Sequence, residues 1–175
     1  MELYQLKEYV NVAQDDYAYD ALLNSMYISA KSTFTGLTDV YLSKTTEVFT
    51  YTNFSNNYLY LKVYPINEID KIEYKSSFSD SSYTELETTK YELDYTAIRF
   101  DTSYAFYKLK VTADFGYEVI PENIDFLLAQ IVHYYFSFQA LDVHLSSKGS
   151  VPLMPSEATL PKFLYDNIKL YKKFL

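Results

Sequence analysis

The sequence predicts an α+β protein: a helical bundle, two helices from the N-terminal part and two from the C-terminal part, with an antiparallel β module inserted between them. Three observations predict it. Apolar residues recur at intervals of three and four over residues 1–36 and again after 120, which is the period of one helix face. Between them, residues 45–114 are rich in aromatic and β-branched side chains, in places alternating with polar ones, as half-buried strands do. The third is the junction Phe115-Gly116-Tyr117-Glu118-Val119-Ile120-Pro121-Glu122-Asn123-Ile124. There a strand ends, a glycine turns the chain, and a proline opens a helix with an acid in its first turn. Proline suits that position because its missing N–H would be unpaired there in any case.

Leu3, Leu6 and Val10, joined by Tyr9, mark a first helix of about two turns. Asp15 and Asp16 then precede Tyr19, Leu22, Leu23, Met26, Tyr27, Ala30 and Phe34, one face of a second helix, with Gly36 expected as its C-terminal cap. The acidic pair reads as capping and dipole complementation, in preference to a catalytic or metal-binding set with Asp20. Strands are expected at 46–51, 58–64, 68–74, 91–95, 97–101 and 107–114, with Pro65 separating the second from the third and 76–82 forming a polar turn. Only three glycines are present, so the turns rely on Asn, Asp and Ser.

The long helix over 120–141 carries Ile124, Leu127, Leu128, Ile131, Val132, Tyr135 and Phe136 on one face. Phe126, Ala129, Tyr134 and Phe138 lie on the other. A helix apolar nearly all round is buried nearly all round, which predicts a neighbouring subunit. Residues 146–159, with Gly149, Pro152 and Pro155, read as an extended arm. Pro161 opens a closing helix over 161–175, in which Leu164, Ile168 and Tyr171 face one way and the last-turn lysines complement the dipole.

With 175 residues, 49% of them hydrophobic, the chain suits a single domain, 1–175, with a substantial core. It holds no cysteine, which excludes disulfides, thiol nucleophiles and thiolate metal sites and fits a reducing cytoplasm. The first residues lack the basic start and apolar block of a signal peptide. The apolar run 126–141 is shorter than the roughly 20 residues a membrane span needs, so no membrane partner is expected. Fifteen basic against 23 acidic side chains give a net charge of −8. That balance argues against DNA binding and would let DNA slide past unheld. Residues 161–175 carry a net +3, so the preceding 160 carry −11, a basic tail on an acidic body. The 21 Tyr and 12 Phe suit interfaces, and Tyr is equally at home in strands.

No catalytic constellation is visible. His133 and His144 have no zinc spacing, and His133, inside the apolar helix, reads as structural. The glycines, isolated at 36, 116 and 149, form no phosphate loop, and no nucleophile elbow occurs. The expectation is a non-enzyme with no cofactor and no metal.

The chain resembles the head–tail connector (adaptor, or head completion) proteins of long-tailed bacteriophages. The resemblance rests on Leu6-Lys7-Glu8-Tyr9-Val10 followed by Asp15-Asp16 and Asp20-Ala21-Leu22-Leu23. It continues through Tyr64-Pro65-Ile66 followed by Ile69-Asp70-Lys71-Ile72, the 115–124 junction, and Leu160-Pro161 with Leu164 and Tyr171. It covers nearly the whole chain, which departs from the pattern in its Tyr content and its longer first β segment. The resemblance implies a homo-oligomeric, dodecameric ring beneath the portal protein at the virion neck, assembled in the host cytoplasm. Such a ring extends the DNA channel, passes genomic DNA without specific binding, and meets a downstream connector, stopper or tail protein. On this reading Tyr134, Phe138, Leu141, Leu160, Phe163, Tyr171, Phe174 and Leu175 are expected at subunit or portal contacts. The alternatives are a head-closure (stopper) or tail-terminator ring, and a Tyr-rich carbohydrate-binding module that leaves the two-sided apolar helix unexplained.

Overall fold

The computed structural model describes residues 1–94, 97–145 and 160–172, the side chains of 138–145 excepted. In chain order these form α1 (Leu3–Tyr9), a 3-10 turn (Tyr17–Tyr19), α2 (Asp20–Thr38), β1 (Thr45–Tyr60), β2 (Ile66–Lys75) and β3 (Thr84–Glu85). A second 3-10 turn (Thr88–Lys90), β4 (Tyr91–Asp94), β5 (Ala97–Phe115), α3 (Glu122–Leu145) and α4 (Lys162–Lys169) follow. The protein is α+β. Its described residues form two compact units: a helical one from Met1–Thr38 with those between 120 and 172, and a β one from Asp39–Val119.

In the helical unit, α1 buries Leu6, and Val10 just beyond it is buried too. Lys7 is only 3% exposed. Its ammonium lies 2.6 Å from the Asp20 carboxylate and donates to the Gln14 carbonyl at 3.1 Å, so the buried charge is both paired and hydrogen-bonded. The Asp16 carboxylate accepts from the Ala18 amide at 3.0 Å, the capping role its position suggests. Along α2, Leu23, Met26, Tyr27, Ala30 and Phe34 are buried at helical spacing.

Gly36 does not cap α2. The helix runs through it to Thr38, whose hydroxyl donates to the Phe34 carbonyl at 2.7 Å. The left-handed residue after the last turn is Asp39, at φ 59°, a residue whose short polar side chain tolerates that conformation. Pro121 likewise stands one place earlier than expected. Its carbonyl accepts from the Ile124 and Asp125 amides at 3.0 and 2.9 Å, and α3 starts at the next residue.

From α3, Ile124, Leu127, Leu128, Ile131, Val132 and Tyr135 are buried, as the periodicity requires. Ala129, on the opposite apolar stripe, is also buried within this chain. Asp125 pairs with the Met1 amine at 2.6 Å and accepts from the Tyr27 hydroxyl at 2.5 Å. Burial first, and this bond second, push the Tyr27 phenol well above its usual range. Helix α4 packs Leu164 and Ile168 inward. Beyond it, the Tyr171 ring sits 5.5 Å from Phe34 and its hydroxyl accepts from Asn123 Nδ2 at 2.9 Å.

The β unit is one antiparallel sheet in the order β1-β5-β2-β3, with β4 also paired to β5. Two expected breaks are absent. The segments at 46–51 and 58–64 are joined through 52–57, and β1 runs unbroken for 16 residues to Tyr60, leaving 61–64 outside it. The segments at 97–101 and 107–114 are one 19-residue strand, β5. The irregularity lies within the strand pair, whose register shifts between Asn56 and Tyr58. Asn53 takes φ 54° between the pairs Thr52↔Lys108 and Phe54↔Phe106. There the buried positions of β5 change phase, from Ile98, Phe100 and Phe106 to Leu109, Val111, Ala113 and Phe115.

Gly116 closes the sheet. It sits at φ 90°, and a Cβ there would lie 2.2 Å from the Ser43 carbonyl oxygen. Its amide donates to the Pro65 carbonyl at 2.8 Å, and its carbonyl accepts from Asn67 Nδ2 at 2.7 Å. Next to it, Phe115 packs against Tyr41 and Phe49 with ring centroids 4.8 and 5.7 Å away.

Candidate interaction surface

Among the described residues no group of three or more His, Asp or Glu side chains is placed to hold a metal ion, and no helix is long and apolar enough to cross a membrane. The strand carboxylates serve the sheet. Asp114 is held below the usual carboxylate range by a hydrogen bond from Thr46, with Lys44 adding to it, and Asp101 by one from Tyr104, with Lys90 beside it. A cleft of about 110 Å³ in the β unit is lined by Thr89, Tyr91, Glu92, Arg99 and Asp101, and its charges are spent internally in the Arg99–Glu92 and Lys90–Asp101 pairs.

The helical unit carries a larger feature. A groove of about 400 Å³ opens between the end of α1, one face of α3 and the start of α4. Helix α3 contributes Gln130, His133, Tyr134 and Ser137, the i, i+3, i+4, i+7 positions of a single face. Tyr9 arrives from α1, and Pro161, Phe163 and Leu164 from α4. Tyr9 stands edge-on to both Phe126 and His133, with centroids 5.7 and 5.9 Å away. Phe126 remains 51% and Phe163 62% exposed. This is an aromatic trough, and its polar atoms are confined to an amide, an imidazole and hydroxyls. Such a surface suits burial against an apolar side chain.

Of the expected contact residues, Tyr134 and Phe163 line this groove. Leu160 is buried within the helical unit, and Tyr171 is engaged with Phe34 and Asn123. The side chains of Phe138 and Leu141, and all of Phe174, Leu175 and the arm 146–159, lie outside the described residues. Sequence reasoning missed Tyr9, Phe126 and His133 as partners in one site. His133 is exposed, not buried, because its side of α3 meets the rim of α1 instead of the core. The signal for Phe126 was present in the second apolar stripe of α3. The signal for Tyr9 was its aromatic ring at the end of a short helix.

No protein-family model matches the chain, and no curated protein matches it. Solved structures do. A chain from the neck of the empty gene transfer agent (GTA) particle, computed with C6 symmetry, superposes with a TM-score of 0.63 at 13% identity, over 96% of this chain and 88% of that one. A chain of the native GTA virion gives 0.60 at 13% identity, over 95% and 88%. A chain from the native GTA neck, computed with C12 symmetry, gives 0.56 at 12% identity, over 95% and 88%. At these identities the likeness is one of fold, and it extends over nearly the whole of this chain.

Proposed function

We propose that this chain is a structural protein of a phage-type particle neck, where it forms a ring beneath the portal, extends the DNA channel and joins head to tail. The observation that carries this reading is the match over 95–96% of the chain to chains of GTA neck and virion structures. It draws support from the C6 and C12 symmetries in which those necks were computed, since a head-to-tail contact that closes on itself yields a ring. The exposed aromatic groove offers the surface such a ring needs. The net charge of −8 suits a channel through which DNA moves without adhering. The protein acts by assembly, not catalysis, and its partners are further copies of itself, the portal protein, and the next connector, stopper or tail component.

The test is light-scattering mass of the purified chain, alone and mixed with portal rings from the same particle. A ring-sized species in either condition is the expected result. A chain that stays monomeric at high concentration and ignores portal rings overturns the reading.

A further inference from the structure

The sheet treats its edges unequally. On one side of β5 the strands that end the sheet are short and acidic. There β3 has two residues, Thr84–Glu85, and β4 has four, with Glu92 and Asp94 exposed. Short, charged edges are a device by which natural sheets avoid pairing with foreign strands. On the other side stands β1, with 16 residues of which only Leu59 is buried. Its one charged residue is Glu47, and it holds neither lysine nor proline.

Among the described residues β1 pairs with β5 alone. From Thr45 to Thr52 that pairing is unbroken, with eight consecutive partners running from Phe115 to Lys108. In an antiparallel pair alternate residues turn both N–H and C=O away from the partner strand, so about four residues of this stretch present their main-chain groups on its free edge. Thr46, Val48, Thr50 and Thr52 follow one another along one face, and all four are exposed. β-Branched side chains of this kind favour a cross-strand neighbour.

We propose that the 45–52 edge of β1 is completed by an extended segment of a different neck protein, which adds to this sheet as a further strand. The inference rests on the neck-ring reading and names a surface through which the ring joins its neighbours. Three observations point to that occupant. The first is chemistry: a row of free N–H and C=O groups is matched by another extended main chain, and not by a helix, whose groups are bonded internally. The second is charge. With Glu47 the only ionised side chain along β1, the edge suits an uncharged segment of β-branched and aromatic residues. The third is symmetry. Copies in a ring meet through unlike surfaces, so β1 of one copy does not face β1 of the next. The other edges a second copy offers are β3 and β4, too short to cover eight paired positions.

The experiment is hydrogen exchange read by mass spectrometry over peptides spanning 45–60. The full chain is measured alone, with portal rings, and with tails from the same particle. The expected result is slowing over 45–52 by roughly tenfold or more once portal rings or tails are added, and none when the chain assembles only with itself. Thr50→Pro and Glu47→Pro test the edge directly. Their positions are an odd number of residues apart, so their amides face opposite sides of β1, and proline removes the N–H. The variant that keeps the parent melting profile is the one whose amide faces outward, and it should lose the slowing and join its partner about tenfold less well. Should both prolines lower the melting point, the exchange measurement alone decides.

Complexes that form with portal rings and with tails while exchange over 45–52 stays unchanged overturn the strand-addition contact and leave the ring reading standing. Slowing that already accompanies self-assembly also overturns it, because a second copy then covers the edge. So does a proline variant of unchanged melting profile that joins as well as the parent. A chain that stays monomeric and ignores both portal rings and tails overturns both readings.

Discussion

A methyl group on Gly116 would press to 2.2 Å from the Ser43 carbonyl oxygen, in a backbone held at φ 90°. The neighbour is main chain, so it has no rotamer through which to yield. Gly116→Ala should therefore destabilise the protein by on the order of 3 kcal/mol, from strain and forced displacement together. A urea denaturation midpoint equal to that of the parent would refute this. Asp80 fixes local geometry by a different means. The Ser77 amide first, with Ser76, the Ser77 hydroxyl and nearby Lys75 adding to it, holds its carboxyl below the usual carboxylate range. A carboxyl whose folded pKa is depressed contributes order that is complete above its unfolded pKa and lost as pH falls through the folded one. Hydrogen exchange should accordingly find the Ser76 and Ser77 amides protected near neutrality and released on acidification below the ordinary carboxylate range. Asp80→Ala should release them at every pH, and amides that stay protected in that variant would show that the carboxylate does not hold the loop.

At the scale of elements, helix α1 is the instructive case. Seven residues are too few for a helix to persist unaided, so tertiary contacts must hold it. The Lys7–Asp20 pair, with side chains 4% and 28% exposed, ties it to the start of α2. Lys7→Ala leaves Asp20 without its cation and removes an aliphatic stem. A loss of about 2 kcal/mol is expected, with part of it recovered in the double variant Lys7→Ala/Asp20→Asn. Calorimetric melting that finds the two changes simply additive would mean that the pair is not the tie.

The same scale separates what was legible in the sequence from what was not. Helical periodicity located α2, α3 and α4 because each buries a face spaced by three and four. It could not say who covers the second apolar stripe of α3. Ala129 is buried by its own chain and Phe126 is left half exposed, and only the arrival of α1 decides which. Asn53, Asn56 and Asn57 interrupt the aromatic and β-branched run between 46–51 and 58–64, as residues that favour turns, yet β1 runs through them with Asn53 in the left-handed region. The groove was half legible. Tyr134 and Phe163 stood out as apolar residues, whereas Tyr9 and His133 join them only through packing among three separated segments.

For the whole molecule, the decisive feature is how the chain is divided. The β unit is one continuous segment, Asp39–Val119, inserted into a helical unit assembled from both sides of it. The inserted segment owns its core: Leu59, Leu61, Val63, Ile72, Ile98, Phe100, Phe106, Leu109, Val111 and Phe115 form one buried cluster. Its closing turn at Gly116 is bonded to Pro65 and Asn67 of the same segment. A continuous segment with its own core and closed ends meets the conditions for folding alone. The helical unit does not, since α2 packs against α3 and α4, which lie beyond the insertion. Residues 39–119 expressed alone should therefore give a β-type far-ultraviolet spectrum and a cooperative melt. Residues 1–38 alone should show little helix, because their buried face has lost its cover. If 39–119 proves unfolded, the sheet depends on the helical unit and the two must fold together.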